Sequence, residues 1–219
     1  MTEQAPITAV IRPEVRALSA YKVADASGFI KLDAMENPYS WPEDIKTEWL
    51  KVLHGTEINR YPDPEAKSLC RILKAYNQIP ESSELLLGNG SDEIIQILLM
   101  ALPANSTVMA PEPSFVMYKQ VAQCLGLNYQ GIPLLADNFE LDLTATLAAI
   151  KAQQPEIIFL AYPNNPTGNL FDSEAIEQII QHSKGLVVID EAYAPFTDFS
   201  FIARLAHYKN LLVMRTVSK

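Results

Sequence analysis

Positive charge is scarce in this chain. Of 219 residues, 17 are Lys or Arg against 26 Asp or Glu, a formal charge of −9. No basic run interleaved with aromatics occurs, so nucleic acid and anionic membrane surfaces are poor partners. Long apolar runs are also missing. The longest, such as Ile94–Leu102 with Gln96 inside it, fall far short of the roughly 20 residues that cross a bilayer. The N-terminal residues Met1-Thr-Glu-Gln-Ala-Pro6 lack the basic-then-apolar layout of a secretory signal, so a soluble, cytoplasmic protein is expected. Cysteine is nearly absent. Cys70 and Cys124 have no Cys or His at metal spacing, which favours buried free thiols over a disulfide or a zinc site, and no metal centre is expected.

What the chain does have is 48% hydrophobic residues and 20% charge, enough to bury a real core. Short apolar runs alternate with amphipathic stretches. Strands are predicted over Glu84–Leu87, Thr107–Ala110, Leu127–Gly131, Glu156–Ala161, Leu186–Asp190 and Leu211–Arg215. Helices are predicted over Glu43–Leu53, Ser91–Ala101, Ser114–Leu125, Leu143–Gln153 and Ser173–His182. That alternation argues for βαβ units and an α/β fold with a mainly parallel sheet. Residues 1–60, with Pro13, Pro38 and Pro42, read as an N-terminal arm plus part of a smaller domain, and residues 61–219 as the large domain. Because a parallel strand normally continues into a crossover, a chain stopping at Lys219 straight after a strand is expected to be a piece of a longer protein.

In open α/β sheets ligands collect at the carboxyl ends of strands, and four such ends are unusually polar. The first carries Gly88-Asn-Gly-Ser-Asp-Glu93 opening a helix. It reads either as a turn with Ser91 as N-cap, or as a phosphate cradle on the amides of Ser91 and Asp92. The second is Tyr162-Pro-Asn-Asn-Pro-Thr-Gly168, a loop rich in turn formers with two amides. The third, Asp190-Glu-Ala-Tyr193, ends an apolar strand in a carboxylate that is either met by an Arg or Lys or left desolvated. The fourth is Thr216-Val-Ser-Lys219. Lysine, acid, phenol, amide and helix N-terminus at strand ends together suit pyridoxal phosphate, which needs a lysine, an acid for its ring nitrogen and a cradle for its phosphate. His54, His182 and His207 read as surface or satisfied positions without partners, Trp41 and Trp49 as packing residues, and Arg215 as a salt-bridge partner in the sheet.

Six segments also resemble fold-type I aminotransferases: Asn59-Arg-Tyr-Pro-Asp-Pro64, Gly88-Asn-Gly-Ser-Asp-Glu93, Pro113-Ser-Phe-Val-Met-Tyr118, Asn164-Asn-Pro-Thr-Gly168, Asp190-Glu-Ala-Tyr193 and Thr216-Val-Ser-Lys219. The resemblance runs in order from about Tyr21 to the last residue. It implies the large domain of that fold, a mainly parallel sheet in an α/β/α sandwich, with an N-terminal arm and part of a small domain. It also implies pyridoxal 5′-phosphate as cofactor, and transfer of an amino group from L-histidinol phosphate to 2-oxoglutarate in histidine biosynthesis by a homodimer.

Carried over by this resemblance, Lys219 is the cofactor-binding lysine and the base that moves a proton. Asp190 pairs with the ring nitrogen, Tyr193 and Asn165 bond the ring's 3′ oxygen, and Phe115 stacks on the ring where the family often has Tyr. Ser91, Asp92, Thr216 and Ser218 hold the phosphate, and Tyr61 reaches the cofactor phosphate of the neighbouring subunit. Tyr21 and Asn37 are placed near the substrate. Two arginines of the family pattern would fall beyond residue 219. The alternatives are an aromatic or broad-specificity aminotransferase or a phospho-amino-acid decarboxylase on the same scaffold, or a noncatalytic dimeric binding protein.

Overall fold

The structure is a computed structural model that describes residues 7–18, 25, 27–30, 37 and 39–219. Two single-turn helices, α1 (Ile7–Val10) and α2 (Pro13–Arg16), precede α3 (Glu43–His54) and α4 (Lys67–Tyr76). Alternation then sets in: α5 (Ser91–Met100), β1 (Thr107–Glu112), α6 (Val116–Leu125), β2 (Asn128–Pro133), α7 (Leu143–Gln153), β3 (Ile157–Ala161), α8 (Ser173–His182), β4 (Leu186–Asp190) and β5 (Leu211–Met214). Short 3-10 turns at Ala194–Phe196 and Ile202–Ala206 lie between β4 and β5. Among the described residues no helix is long and apolar enough to cross a membrane.

The five strands form one sheet in the order β2-β1-β3-β4-β5, every pairing parallel. β3, Ile157-Ile-Phe-Leu-Ala161, is buried along its whole length, as befits a central strand covered on both faces. Alternate side chains serve opposite layers. Ile157, Phe159, Ala161 and Val188 pack with Ile95 and Leu99 of α5 and Tyr118 and Ala122 of α6. Ile158, Leu160, Val187 and Ile189 face the other way, onto Ile150 of α7 and Ile176, Ile179 and Ile180 of α8. The result is the anticipated α/β/α sandwich.

Local chemistry sets the helix ends. The Asp142 side chain accepts from the Ala145 N–H at 2.9 Å and Asp172 from the Glu174 N–H at 3.1 Å, capping α7 and α8. Gly126, at φ 73°, takes the left-handed conformation that stops α6 and turns the chain into β2.

Some expectations need correction. Glu84–Leu87 pairs with no strand among the described residues. Its side chains do alternate between half-buried Leu85 and Leu87 and exposed Glu84 and Leu86, but a strand needs a ladder partner as well as a period. β2 is shifted to Asn128–Pro133 and β5 ends at Met214, one residue early. α4 was not anticipated. Cys70 and Cys124 are free, as expected, but half-buried. His182 is not without a partner, since its Nδ1 lies 2.8 Å from the Gln178 carbonyl oxygen. Trp41 and Trp49 pack edge-to-face at 6.0 Å, both rings still half exposed.

Strand order reverses where β1 lies between β2 and β3, and at such a point the loops leaving neighbouring strands part to open a crevice. The layers beneath must hold that crevice still. Ile179, fully buried on α8, should destabilise the protein by about 3 kcal/mol when replaced by Ala, through lost burial and the cavity left behind. Urea unfolding monitored by circular dichroism measures this.

Candidate active site

A cleft of about 260 Å³ opens at the carboxyl ends of the strands, bounded by the N-terminus of α5, the β1–α6 turn and the segments following β3, β4 and β5. It falls just under the roughly 300–1,000 Å³ usual for small-molecule sites. At its floor stands Asp190, the last residue of β4 and only 4% exposed. Its Oδ2 accepts from the Tyr118 hydroxyl at 2.7 Å and its Oδ1 from the Ala192 N–H at 3.0 Å. Burial pushes the Asp190 carboxyl up. The two hydrogen bonds oppose that push, and the charges of Asp92 and Glu191 add to it. Burial, reinforced by the charge of Asp190, raises the Tyr118 phenol well above its ordinary range, so it stays a donor.

The nearby cation goes elsewhere. Arg215 joins Glu191, 1% exposed, through Nε and Nη2 at 2.9 and 2.8 Å. Glu191 also accepts from the Ser200 hydroxyl at 2.9 Å and the Phe201 N–H at 2.6 Å, so the buried carboxylate is well satisfied. Arg215 Nη1 further donates to Asn77 Oδ1, just past α4, at 2.7 Å. Among the described residues no arginine meets Asp190, and the expected salt bridge of Arg215 is to the neighbouring acid. This clamp fixes the chain immediately before Thr216-Val-Ser-Lys219.

The asparagine pair divides its labour. Asn164 is buried, accepting from the Ser114 hydroxyl at 2.8 Å and donating to the Pro113 carbonyl at 3.1 Å and to Thr167 Oγ1 at 2.7 Å, which ties the β3 loop to the β1 loop. Asn165 reaches the cleft, and its Nδ2 donates to the Tyr193 hydroxyl oxygen at 3.2 Å. Lys219 Nζ lies 5.6 Å from the centre of the Tyr193 ring, a cation–π contact. Thr216 and Ser218 are hydrogen-bonded to each other at 2.7 Å on the same wall.

Opposite them α5 begins. Its N-cap is Gly90 at φ 86°, not Ser91, which is already helical. The first amides of a helix have no partner within it, so those of Ser91 and Asp92 remain available to an anion. Glu93 folds back onto Asn89, accepting from its N–H at 2.5 Å, and that bond holds the Glu93 carboxyl below its usual range.

Nine of the anticipated residues thus line one cleft: Ser91, Asp92, Phe115, Asn165, Asp190, Tyr193, Thr216, Ser218 and Lys219. Two described ones are not brought there. Tyr61 is fully exposed and away from the cleft of its own chain. Asn37 is exposed and accepts from the Tyr39 N–H at 3.0 Å, while Tyr21 lies outside the described residues. Sequence reasoning assigned no role to Tyr118, Asn89 or Asn164. Tyr118 did carry a signal, standing three residues after Phe115, the N-cap of α6, whose ring it meets edge-on.

A polar cleft on this sheet, with a lysine and a buried acid at adjacent strand ends, defines a class, and comparison with known proteins agrees. The chain belongs to the aminotransferase class I and II family, whose model matches residues 27–219. It is 54% identical over 210 residues to histidinol-phosphate aminotransferase 2 of Nitrosococcus oceani, covering 95% of this chain and 58% of that protein. With the histidinol-phosphate aminotransferase of Thiocapsa roseopersicina it shares 51% identity over 185 residues, covering 84% of this chain and 98% of that sequence. The chain therefore spans somewhat over half the length of the Nitrosococcus relative. Among solved structures, a putative histidinol-phosphate aminotransferase from Erwinia carotovora superposes with a TM-score of 0.77 at 26% identity, covering 91% of this chain and 59% of that one. The Sinorhizobium meliloti histidinol-phosphate aminotransferase, solved with pyridoxal-5′-phosphate, gives the same score of 0.77 at 22% identity, covering 95% and 59%, a likeness of fold.

Two outcomes follow from the two acids. Arg215→Ala leaves Glu191 charged, buried and short of its cation, and should lower stability by about 2–3 kcal/mol by urea titration, the arginine's partial exposure moderating the loss. For Asp190, a folded-state pKa above the unfolded one means that the folded state holds the proton more tightly. Its contribution to stability is therefore lost as pH rises from about 4 through the raised value. Asp190→Asn can keep both local bonds, Oδ1 accepting from Ala192 and Nδ2 donating to the Tyr118 oxygen. The ligand-free variant should melt higher than the parent at neutral pH and lack that decline in thermal melts from pH 4 to 8.

Proposed function

We propose that this chain forms the cofactor-binding part of a pyridoxal-phosphate-dependent aminotransferase that moves the amino group of L-histidinol phosphate to 2-oxoglutarate, giving imidazole acetol phosphate and glutamate. The observation that carries this reading is the buried Asp190, which takes the Tyr118 hydroxyl and the Ala192 N–H as donors and faces the same cleft as Lys219 and the α5 N-terminus. A protonated ring nitrogen is a partner that a buried carboxylate opening on such a cleft fits. The donor set suits the rest of the cofactor: open amides and hydroxyls for a phosphate, a phenol and an amide for a ring oxygen, an aromatic face for a ring, and an amine for a carbonyl.

When bound, pyridoxal phosphate supplies an electron-withdrawing ring that accepts the electron pair left on the donor carbon as its proton departs. The chain's own residues do the remainder. Asp190 holds a proton on the ring nitrogen, and low exposure keeps water from competing for it. Asn165 and Tyr193, already bonded to each other, orient the 3′ oxygen. Phe115 covers one ring face. The Ser91 and Asp92 amides with the Thr216 and Ser218 hydroxyls bind the phosphate. Lys219 Nζ would hold the cofactor at its carbonyl carbon, the carbonyl oxygen leaving as water, and, once displaced by the donor's amine, would take the donor's Cα proton and deliver it to that former carbonyl carbon across the shared nitrogen.

The choice of donor rests on the relatives' names, and the acceptor on the common partner of such reactions. The working protein is a cytoplasmic homodimer, in which exposed Tyr61 serves the partner's phosphate site and Tyr21 and Asn37 serve the substrate.

In the natural-length protein, added pyridoxal phosphate should give a visible absorption band that L-histidinol phosphate bleaches. Borohydride should fix about one pyridoxyl group per subunit, on Lys219. Lys219→Ala should lose the label and at least about 100-fold in turnover. A band that is indifferent to histidinol phosphate but bleached by aromatic or acidic amino acids would replace the donor while keeping the cofactor.

A further inference from the structure

Asp190 depends on a neighbour that has no assigned part in the chemistry. One of its oxygens is held by the backbone of its own strand end, the Ala192 N–H at 3.0 Å, two residues on. That bond constrains Oδ1 alone, and the terminal torsion of an aspartate is broad and intrinsically poorly defined. The second oxygen is held from a different element altogether, by the Tyr118 hydroxyl on α6 at 2.7 Å, across 72 residues of sequence.

Tyr118 is itself immobilised to an unusual degree for a polar side chain. It is fully buried, stacked on Phe159 of β3 with ring centroids 4.6 Å apart and planes 9° from parallel. Phe115, the residue expected to cover the cofactor, meets it edge-on at 5.6 Å and 82°. A ring clamped between two aromatics has little freedom to swing its hydroxyl, so the direction of the O–H is set by the core. Packing alone would be served equally well by phenylalanine. The hydroxyl adds polar character to a dry site, and its partner is the cleft carboxylate.

We propose that Tyr118 is the positioning residue of this site: its hydroxyl fixes the plane of the Asp190 carboxylate, and through it the seating of the ring nitrogen. This rests on the cofactor reading given above. With Oδ1 and Oδ2 each taking one protein donor, the carboxylate keeps lone-pair directions for a third donor arriving from the cleft, in a plane that the two fixed bonds determine. Removing the hydroxyl leaves one oxygen without its protein donor and lets the group rotate about the remaining bond. A ring nitrogen must then order the acid on arrival instead of meeting it already aimed.

The test is a double-mutant cycle on cofactor affinity in the natural-length protein, read by titrating pyridoxal phosphate against intrinsic fluorescence. The four proteins are the parent, Tyr118→Phe, Asp190→Ala and the double variant, with folding checked by circular dichroism. Tyr118→Phe should weaken binding about tenfold in the parent and less than about twofold in the Asp190→Ala background, because the hydroxyl acts through the carboxylate. Equal losses in both backgrounds would make Tyr118 a general packing residue and overturn the proposal. A parent protein that takes no borohydride-fixed label on Lys219 overturns the cofactor reading together with this one. Label with additive losses overturns the role of Tyr118 alone.

Discussion

The arrangement turns on a negative charge held out of water at the end of a buried strand. Nothing in an apolar layer favours a carboxylate there, and each group around Asp190 answers to its presence. Tyr118 must be a donor, so it must be a tyrosine inside a core that would otherwise take phenylalanine. The β4 turn must aim the Ala192 N–H back at Oδ1. The open side of the carboxylate faces the cleft. A site built in this way has its acid oriented before any ligand arrives.

The neighbouring acid solves the opposite problem. Glu191 is as deeply buried as Asp190, but it is fully served inside the protein by Arg215, Ser200 and the Phe201 amide. Its task is mechanical. By holding Arg215, which also reaches Asn77, it fixes the departure of the chain from β5 and so the start of the segment that ends in Lys219. Two adjacent carboxylates of similar burial thus differ in role through the element each one faces.

Much of this was legible in the sequence, for reasons of range. α7, α8 and β4 fall where the apolar period and the capping aspartates put them, because those signals are local. The cleft residues were reached through strand-end positions and the family resemblance, which together pointed to nine that line one cleft. Contacts between distant parts of the chain were not legible. The Tyr118 bond to Asp190 spans 72 residues and that of Arg215 to Asn77 spans 138, and neither leaves a pattern within a window of sequence. Glu84–Leu87 erred in the opposite direction, its period being right while a ladder partner is lacking. α4 escaped notice because its N-cap residue is not of a capping type, the Lys67 N–H being met instead by the Asp63 carboxylate at 3.0 Å from further back in the chain. Its N-cap is Ala66, in a left-handed conformation, and none of its residues is fully buried.

The facing of β4 carries a consequence for how this sheet can vary. Val188 and Asp190 point to the layer of α5 and α6, whereas Val187, Ile189 and Glu191 point to the layer of α7 and α8. Insertion or deletion of a single residue in this strand would exchange the two acids, sending Glu191 toward the cleft and Asp190 toward Arg215, and would invert every apolar side chain with them. Length variation is therefore confined to even steps or to the connecting loops, so the spacing from Leu186 to Tyr193 is fixed by the geometry of a pleat.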